Sequence, residues 1–400
     1  MRIMKTRLAL AAATLIATTA SAQEPPTGGR GGGRANGRTD TSLAARSTLP
    51  TPREPAQWRG PMDSVRARQL YVSGEFKDLA GCGNGDCGRA DKARDDSIFA
   101  ARAPGKYKYE KTSYRSAVDG LEIPVYVFTP LSGTKHPALV WIHGGVHGDW
   151  GPNPYLPFIV EAVGRGYVII APDYRGSTGY SEEFYRKIDY GGYEVDDVYS
   201  SYDFIKTWPE IDATKVGLMG WSHGGFIASH IVFRGKTPFK SAAAIVPVTN
   251  LFMRLMDHGP SYARSFAAEE RVGGMPFDVT CGPKRDQPCV DEYIRRSPVF
   301  HVANLQVPIL VHVATNDCDV FFRENQQMVH TLRSLKPNLA ETKIYENPPW
   351  GGGGCGHTFS RRATADLTAR DDTPQQIDSW NRTWAFFERT LGVKPPVKKR

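Results

Sequence analysis

A serine, an aspartate and a histidine, each placed where a strand should give way to a loop, carry the chemistry of this sequence. Ser222 lies in Gly220-Trp221-Ser222-His223-Gly224, a Gly-x-Ser-x-Gly pattern between a short apolar strand (Val216, Leu218, Met219) and the start of a helix. The corner must be tight enough to lift the serine Oγ clear of the sheet edge. Side chains at Gly220 or Gly224 would collide across it. Gly225 adds a third small residue where the helix has to pack close to the strand. A serine hydroxyl is a poor nucleophile until a base takes its proton. Asp317 follows the apolar run Ile309 to Val313, and His357 follows the next strand across the glycine-rich loop 351–356. In those places His357 would be the base that later protonates the leaving group. Asp317 would fix the imidazole tautomer and stabilise its cation. The chemistry is acyl transfer through a covalent serine intermediate.

Such a reaction also needs donors for the oxyanion. The His223 amide, at a helix N-terminus, supplies one. His143-Gly144-Gly145 follows a strand and supplies the second, with Gly145 favoured and Gly144 next. Other polar residues read as structural. His147 stands four residues after His143, but on a loop rather than on the helix a metal pair would want. His312 lies within an apolar strand and is expected to be a hydrogen-bonded core histidine. Asp196 and Asp197 head a helix and suit its dipole. No Cys-x-x-Cys or His-x-His cluster assembles four ligands, so neither a metal nor an organic cofactor is expected.

The elements that must position these residues alternate along the chain. Tyr107–Arg115 and Leu121–Phe128 flank Asp119-Gly120 and predict a β-hairpin. Continuous apolar runs at Pro137–Ile142, Tyr167–Pro172, Val216–Met219, Ala242–Val248 and Pro308–Val313 predict strands buried on both faces, followed by Glu341–Tyr345. Helices are predicted at Tyr155–Gly164, Asp196–Trp208 and Ile377–Leu391. This is the pattern of a doubly wound, mostly parallel α/β sheet with an antiparallel hairpin at its start. The order Ser222, Asp317, His357 is the one used by the α/β-hydrolase fold. Residues 250–300 interrupt the strand pattern and read either as a small cap over the cleft, with Phe252, Met253, Met256, Tyr262 and Phe266 shaping an acyl pocket, or as a surface excursion.

The net charge of +8 over 400 residues comes from the ends: +3 in residues 1–22, +2 in 23–50 and +4 from Lys394 onward, leaving −1 for the body. A near-neutral body argues against a nucleic-acid surface, which needs lysine and arginine clustered on the fold. Arg2, Lys5 and Arg7, the apolar run Leu8–Ala20 and the small residues Ala20-Ser21-Ala22 predict a cleavable signal peptide over residues 1–22, and hence a periplasmic or secreted protein. No later apolar stretch is long enough to span a bilayer. Residues 23–60 form a Gly/Arg/Pro-rich leader, 61–105 a short helical arm with a helix over Met62–Tyr71, 106–392 the catalytic domain and 393–400 a basic tail. Six cysteines in an oxidising compartment suggest disulfides, and their spacing proposes Cys82 with Cys87, Cys281 with Cys289 and Cys318 with Cys355. The last pair would tie the loops that carry acid and base.

From about residue 107 to 392 the chain resembles the catalytic domain of the prolyl oligopeptidase family. The matching text is WIHGGVHGDWG, APDYRGSTGYSEEFY, YGGYEVDDVYSSYDFI, GWSHGGF, VPVTN, ATNDCDV and GCGHTF, in that order. The resemblance implies a serine hydrolase with Ser222, Asp317 and His357 as its triad, and its Thr-x-Asp pattern prefers Asp317 over Asp319 as the acid. Two positions depart from it: His223 stands where the family usually has tyrosine, altering the pocket wall, and Ala314 where it usually has glycine. Family peptidases carry a β-propeller before this domain; the stretch ahead of the sheet is too short for one. The resemblance implies a peptidase acting on a peptide substrate. A carboxylesterase acting on a small-molecule ester with the same triad is the alternative, and a non-catalytic binding protein on the same fold a third.

Overall fold

The computed structural model describes residues 89–269, 289–349, 355–371 and 373–393. The signal peptide, the leader, the helix expected at Met62–Tyr71, Cys82, Cys87, Cys281, Gly351 to Gly354 and the basic tail from Lys394 lie outside them. Eight strands are described: β1 (Lys108–Arg115), β2 (Glu122–Thr129), β3 (His136–Ile142), β4 (Val168–Pro172), β5 (Ile211–Trp221), β6 (Ser241–Ile245), β7 (Ile309–Ala314) and β8 (Ala340–Tyr345). They form one sheet in the order β1-β2-β4-β3-β5-β6-β7-β8. β1–β2 and β2–β4 are antiparallel, and every pairing from β4 to β8 is parallel. This is the expected doubly wound α/β sheet with its leading hairpin.

The described helices are α1 (Arg89–Arg102), α2 (Pro152–Gly164), α3 (Glu182–Tyr185), α4 (Tyr193–Lys206), α5 (His223–Phe233), α6 (Leu251–Glu269), α7 (Cys289–Arg295), α8 (Phe322–Leu335) and α9 (Pro374–Leu391). Neighbouring residues of a strand point to opposite faces, so each central strand feeds two cores. Val140, Leu218, Ala242 and Val311 join a cluster with Val198, Phe226 and Val329 of α4, α5 and α8. Leu139, Trp141, Met219, Ala243 and Leu310 join the other, with Phe99, Ile159, Trp380 and Phe387 of α1, α2 and α9. Both faces are covered, which is why these strands read as unbroken apolar runs. A β-carbon on Gly217 would come 2.8 Å from the Phe387 ring, so the glycine lets α9 lie close against β5. None of the described helices is long and apolar enough to cross a membrane.

Several boundaries differ from expectation, three of them for a visible reason. α4 begins at Tyr193, three residues before Asp196, because side chains upstream cap it. Glu194 accepts the amides of Gly191 and Gly192 at 2.5 and 3.1 Å, and Asp189 accepts that of Tyr193 at 3.1 Å. Asp196 and Asp197 therefore lie within the helix, and each has an arginine. Asp197 takes Arg175 Nε and Nη2 at 2.8 Å each, and Asp196 takes Arg234. β5 starts at Ile211, ahead of its apolar core, because Ile211 pairs with His136 across a register shift. β6 stops at Ile245, where Val246 turns to a φ of 44°.

Between β6 and β7, where the cap was expected, α6, α7 and a 3-10 turn (Pro298–Asn304) are described. Phe252 there packs against the rings of Tyr293 and Phe300, whereas Met256 is 70% exposed.

Candidate active site

β5 runs directly into the nucleophile corner. Ser222 has φ 54° and ψ −121°, a backbone conformation that L-residues rarely hold and that a surrounding structure must enforce. A β-carbon on Gly220 would land on the Gly224 backbone, and one on Gly224 on the carbonyls of Ile142 and His143. One on Gly225 would stand 3.0 Å from Pro247. Gly220 and Gly224 are thus steric requirements, and Gly225 is a tight fit. The Ser222 amide donates to Ile245 O at 3.0 Å, and its carbonyl accepts from Phe226 at 2.9 Å, locking the corner between β6 and α5.

Asp317 and His357 meet. His357 Nδ1 lies 2.9 and 3.0 Å from the two Asp317 oxygens, and both residues are buried. Asp317 Oδ1 also accepts the amides of Asp319 and Val320 at 2.9 Å, so the loop curls around the carboxylate and aims it. The two loops are bound to each other. Gly356 N donates to Asn316 O at 2.8 Å, and Cys318 and Cys355 form a disulfide with Sγ–Sγ 1.99 Å. Cys289 is also disulfide-bonded.

The histidine loop reaches the serine corner through Trp221, whose indole Nε1 donates to Ser360 Oγ at 2.6 Å. Ser222 Oγ makes no hydrogen bond to His357 among the described residues. His357 Nε2 instead has Asp319 Oδ2 at 3.5 Å, and Asp319 in turn pairs with Arg254 Nη2 at 3.0 Å. Sequence reasoning weighed Asp319 only as a substitute for Asp317; it stands at the other nitrogen of the same ring.

The glycine loop after β3 is closely held. Gly145 has φ 78°, and its carbonyl accepts the Tyr174 hydroxyl at 2.8 Å and the Gly148 amide at 3.2 Å. The Gly144 carbonyl lies 3.1 Å from His143 Nδ1, so the Gly145 N–H, trans across that peptide plane, points the other way. The Gly144 N–H is 3.4 Å from the Tyr155 hydroxyl. The His223 amide is the first of α5, a position whose N–H the helix itself does not use. The His223 ring is 1% exposed, set against Tyr190 and Phe226 with Nε2 3.6 Å from Glu194 Oε1; it fills the core beneath the corner and does not form the pocket wall expected of it.

His143 is buried with Nε2 2.9 Å from Ser177 Oγ, and burial pushes its pKa down to about 4, so it is neutral at pH 7. Behind it Asp173 Oδ1 accepts the Trp150 amide at 2.8 Å, and Asp173 Oδ2 meets the fully buried Lys92 ammonium of α1 at 2.6 Å. His147 contacts Gly176 O at 2.6 Å and stacks on Tyr185, as a structural histidine would. His312 is buried with Nδ1 2.9 Å from Ser379 Oγ, the hydrogen-bonded core histidine expected.

The sequence profile of the prolyl oligopeptidase family matches residues 156–392, more than half the chain. The chain belongs to the prolyl oligopeptidase family. Among similar proteins of the family, acylamino-acid-releasing enzyme 1 of Oryza sativa subsp. japonica is 29% identical over 263 residues, 63% of this chain and 33% of that one. The human acylamino-acid-releasing enzyme is 26% identical over 257 residues, 64% of this chain and 32% of that one. The chain thus spans about a third of the length of these relatives. Acylaminoacyl peptidase of Pyrococcus horikoshii shares the fold with a TM-score of 0.55 at 20% identity, covering 76% of this chain and 45% of that one. A puromycin-hydrolysing peptidase of Mycobacterium tuberculosis does so with a TM-score of 0.57 at 19% identity, covering 74% and 41%.

Proposed function

We propose that this chain is an exported serine peptidase that cleaves peptide bonds through Ser222, His357 and Asp317. The observation that carries the reading is the seating of the Asp317 carboxylate on His357 Nδ1, on a loop bonded to the strained corner that presents Ser222. In this scheme Ser222 Oγ attacks the substrate carbonyl while His357 Nε2 takes its proton. The oxyanion is received by the amides of His223 and Gly145. The C–N bond breaks as His357 returns the proton to the leaving amine. Water then attacks the acyl-serine by the same route and frees the enzyme. Asp317, at Nδ1, fixes the tautomer that leaves Nε2 free to accept the serine proton.

Export rests on the charged, apolar and small-residue pattern of residues 1–22. The relatives are named for releasing acylamino acids, which makes N-acylated peptides the first substrates to try. A fluorophosphonate probe should label the wild-type protein and not Ser222→Ala. The same variant should lose on the order of a millionfold in kcat. Paired nitrophenyl ester and aminoacyl-anilide substrates then separate the peptidase from a carboxylesterase on the same triad. Hydrolysis of esters alone would overturn the peptidase reading, and an unlabelled wild type would overturn the hydrolytic role of Ser222.

A further inference from the structure

Arg361 stands beside the nucleophile with no anion to answer it. It follows His357 by four residues and is half-buried. Its Nη1 donates to the Tyr155 hydroxyl at 3.3 Å, and its Nε is buried with no acceptor among the described residues. Nη1 and Ser222 Cβ each lie 3.5 Å from the point a β-carbon on Gly144 would occupy, which puts them within about 7 Å of each other. Other arginines withdrawn from solvent meet carboxylates: Arg175 has Asp197, Arg254 has Asp319, Arg296 has Asp189 and Glu292, and Arg362 has Asp371. Among the described residues Arg361 makes no such ion pair. Asp319, the carboxylate beside His357, is matched by Arg254.

A guanidinium taken partly out of water without a counter-charge is unfavourable, and its planar fork fits a carboxylate through two parallel bonds. Tyr155 holds one end of the fork by accepting from Nη1 and leaves Nε without an acceptor. We infer that Arg361 is a specificity-determining residue that binds a carboxylate of the substrate next to Ser222. This rests on Ser222 being the nucleophile. The carboxylate has two possible sources, an acidic group on the acyl part or the free α-carboxylate of the leaving part, and both present the same two oxygens.

The test uses the intact chain and two substrate pairs, each a charged member and its neutral partner. Succinyl-alanine and acetyl-alanine 4-nitroanilides probe the acyl part. Benzyloxycarbonyl-Ala-Ala and its C-terminal amide probe the leaving part. The wild type should favour the charged member of one pair by about ten- to a hundredfold in kcat/KM, mainly through KM, as expected for hydrogen bonds to a charged group. That ratio should shrink at about 1 M salt. Arg361→Gln should bring it near one, and Arg361→Lys should keep part of it. The inference is overturned if the wild type shows no charge preference in either pair, or if the preference survives in Arg361→Gln. The wild-type ratio needs no variant, so a poorly folding Arg361→Gln leaves the test intact. Fluorophosphonate labelling and turnover of 4-nitrophenyl acetate separate the failures: a labelled, active enzyme without charge preference sinks the role of Arg361 alone, and an unlabelled, inactive one sinks the reading beneath it.

Discussion

Replacing Lys92 by methionine should unfasten the glycine loop from a distance. The Lys92 side chain is fully buried, with Nζ 2.6 Å from Asp173 Oδ2, 3.1 Å from Asp149 Oδ2 and 2.7 Å from the Trp150 carbonyl. Methionine keeps most of the stem but leaves Asp173 charged. That carboxylate would retain only its neutral donors, the Tyr180 hydroxyl at 2.6 Å and the Trp150 amide at 2.8 Å. Removing one member of a buried ion pair costs about 3–5 kcal/mol, because the other charge stays desolvated. For a chain of this size that is a fall in Tm of roughly 10 °C. Burial works to strip the Lys92 proton, but the carboxylates of Asp149 and Asp173 outweigh it and hold the pKa above the usual lysine range. A raised lysine stabilises the fold fully below its unfolded pKa, so the whole effect is present at pH 7. Urea melts at pH 7 of Lys92→Met, Asp173→Asn and the double variant would form a cycle. The double variant should cost less than the two singles together by about 2 kcal/mol. Additive losses, or a Lys92→Met protein within about 1 kcal/mol of wild type, would refute the reasoning.

Asp317→Asn should lower kcat by about 10⁴-fold, and Asp319→Asn by less than about tenfold, since only the former fixes the tautomer; the opposite order in steady-state kinetics would make Asp319 the acid. Cys318→Ser with Cys355→Ser reopens a loop of sequence separation 37 and should cost about 4 kcal/mol in thermal or urea melts, with a loss of turnover as the acid and base loops part. Unchanged stability and turnover would show that the bridge holds nothing. Burial first, then Asp189, pushes the Glu194 carboxyl from 4.5 up to about 8. The folded state thus keeps a proton that the unfolded chain gives up, and the contribution falls as pH rises from about 4.5 to about 8. Glu194→Gln should flatten Tm against pH across that window, and an identical slope in variant and wild type would count against it.

The parts of the site that sequence reasoning could reach are those fixed by local sterics or by a strand end. Gly220 and Gly224 announce the corner because nothing larger fits there. Asp317 announces itself by following an apolar run and His357 by following the next strand across the glycine-rich loop, with Cys318 adjoining the one and Cys355 two residues before the other. What it missed depends on long-range partners. Lys92 and Asp173 lie 81 positions apart, and no local pattern links them. Arg361 and Arg362 are adjacent in a polar stretch that reads as solvated. Only folding sends Arg362 to Asp371 and turns Arg361 toward Tyr155. Asp196 falls in the first turn of α4, as its place in the sequence suggests, but the arginines that claim it and Asp197 come from elsewhere in the chain and leave no local signal. His223 was expected on the pocket wall because it stands where the family usually has tyrosine, yet a residue starting a buried helix sends its side chain beneath the corner.

Every residue of α5 is buried, so the serine is mounted on a helix packed on all sides. Asp317 and His357 ride together on two joined loops, and the Trp221–Ser360 bond ties the histidine loop to that mount. Thermal breathing would therefore shift the carboxylate and imidazole as one piece and vary a single spacing, that between ring and hydroxyl. Loosening the Trp221–Ser360 bond would let that spacing drift, so the indole next to Ser222 would have a part in any proton transfer between hydroxyl and ring.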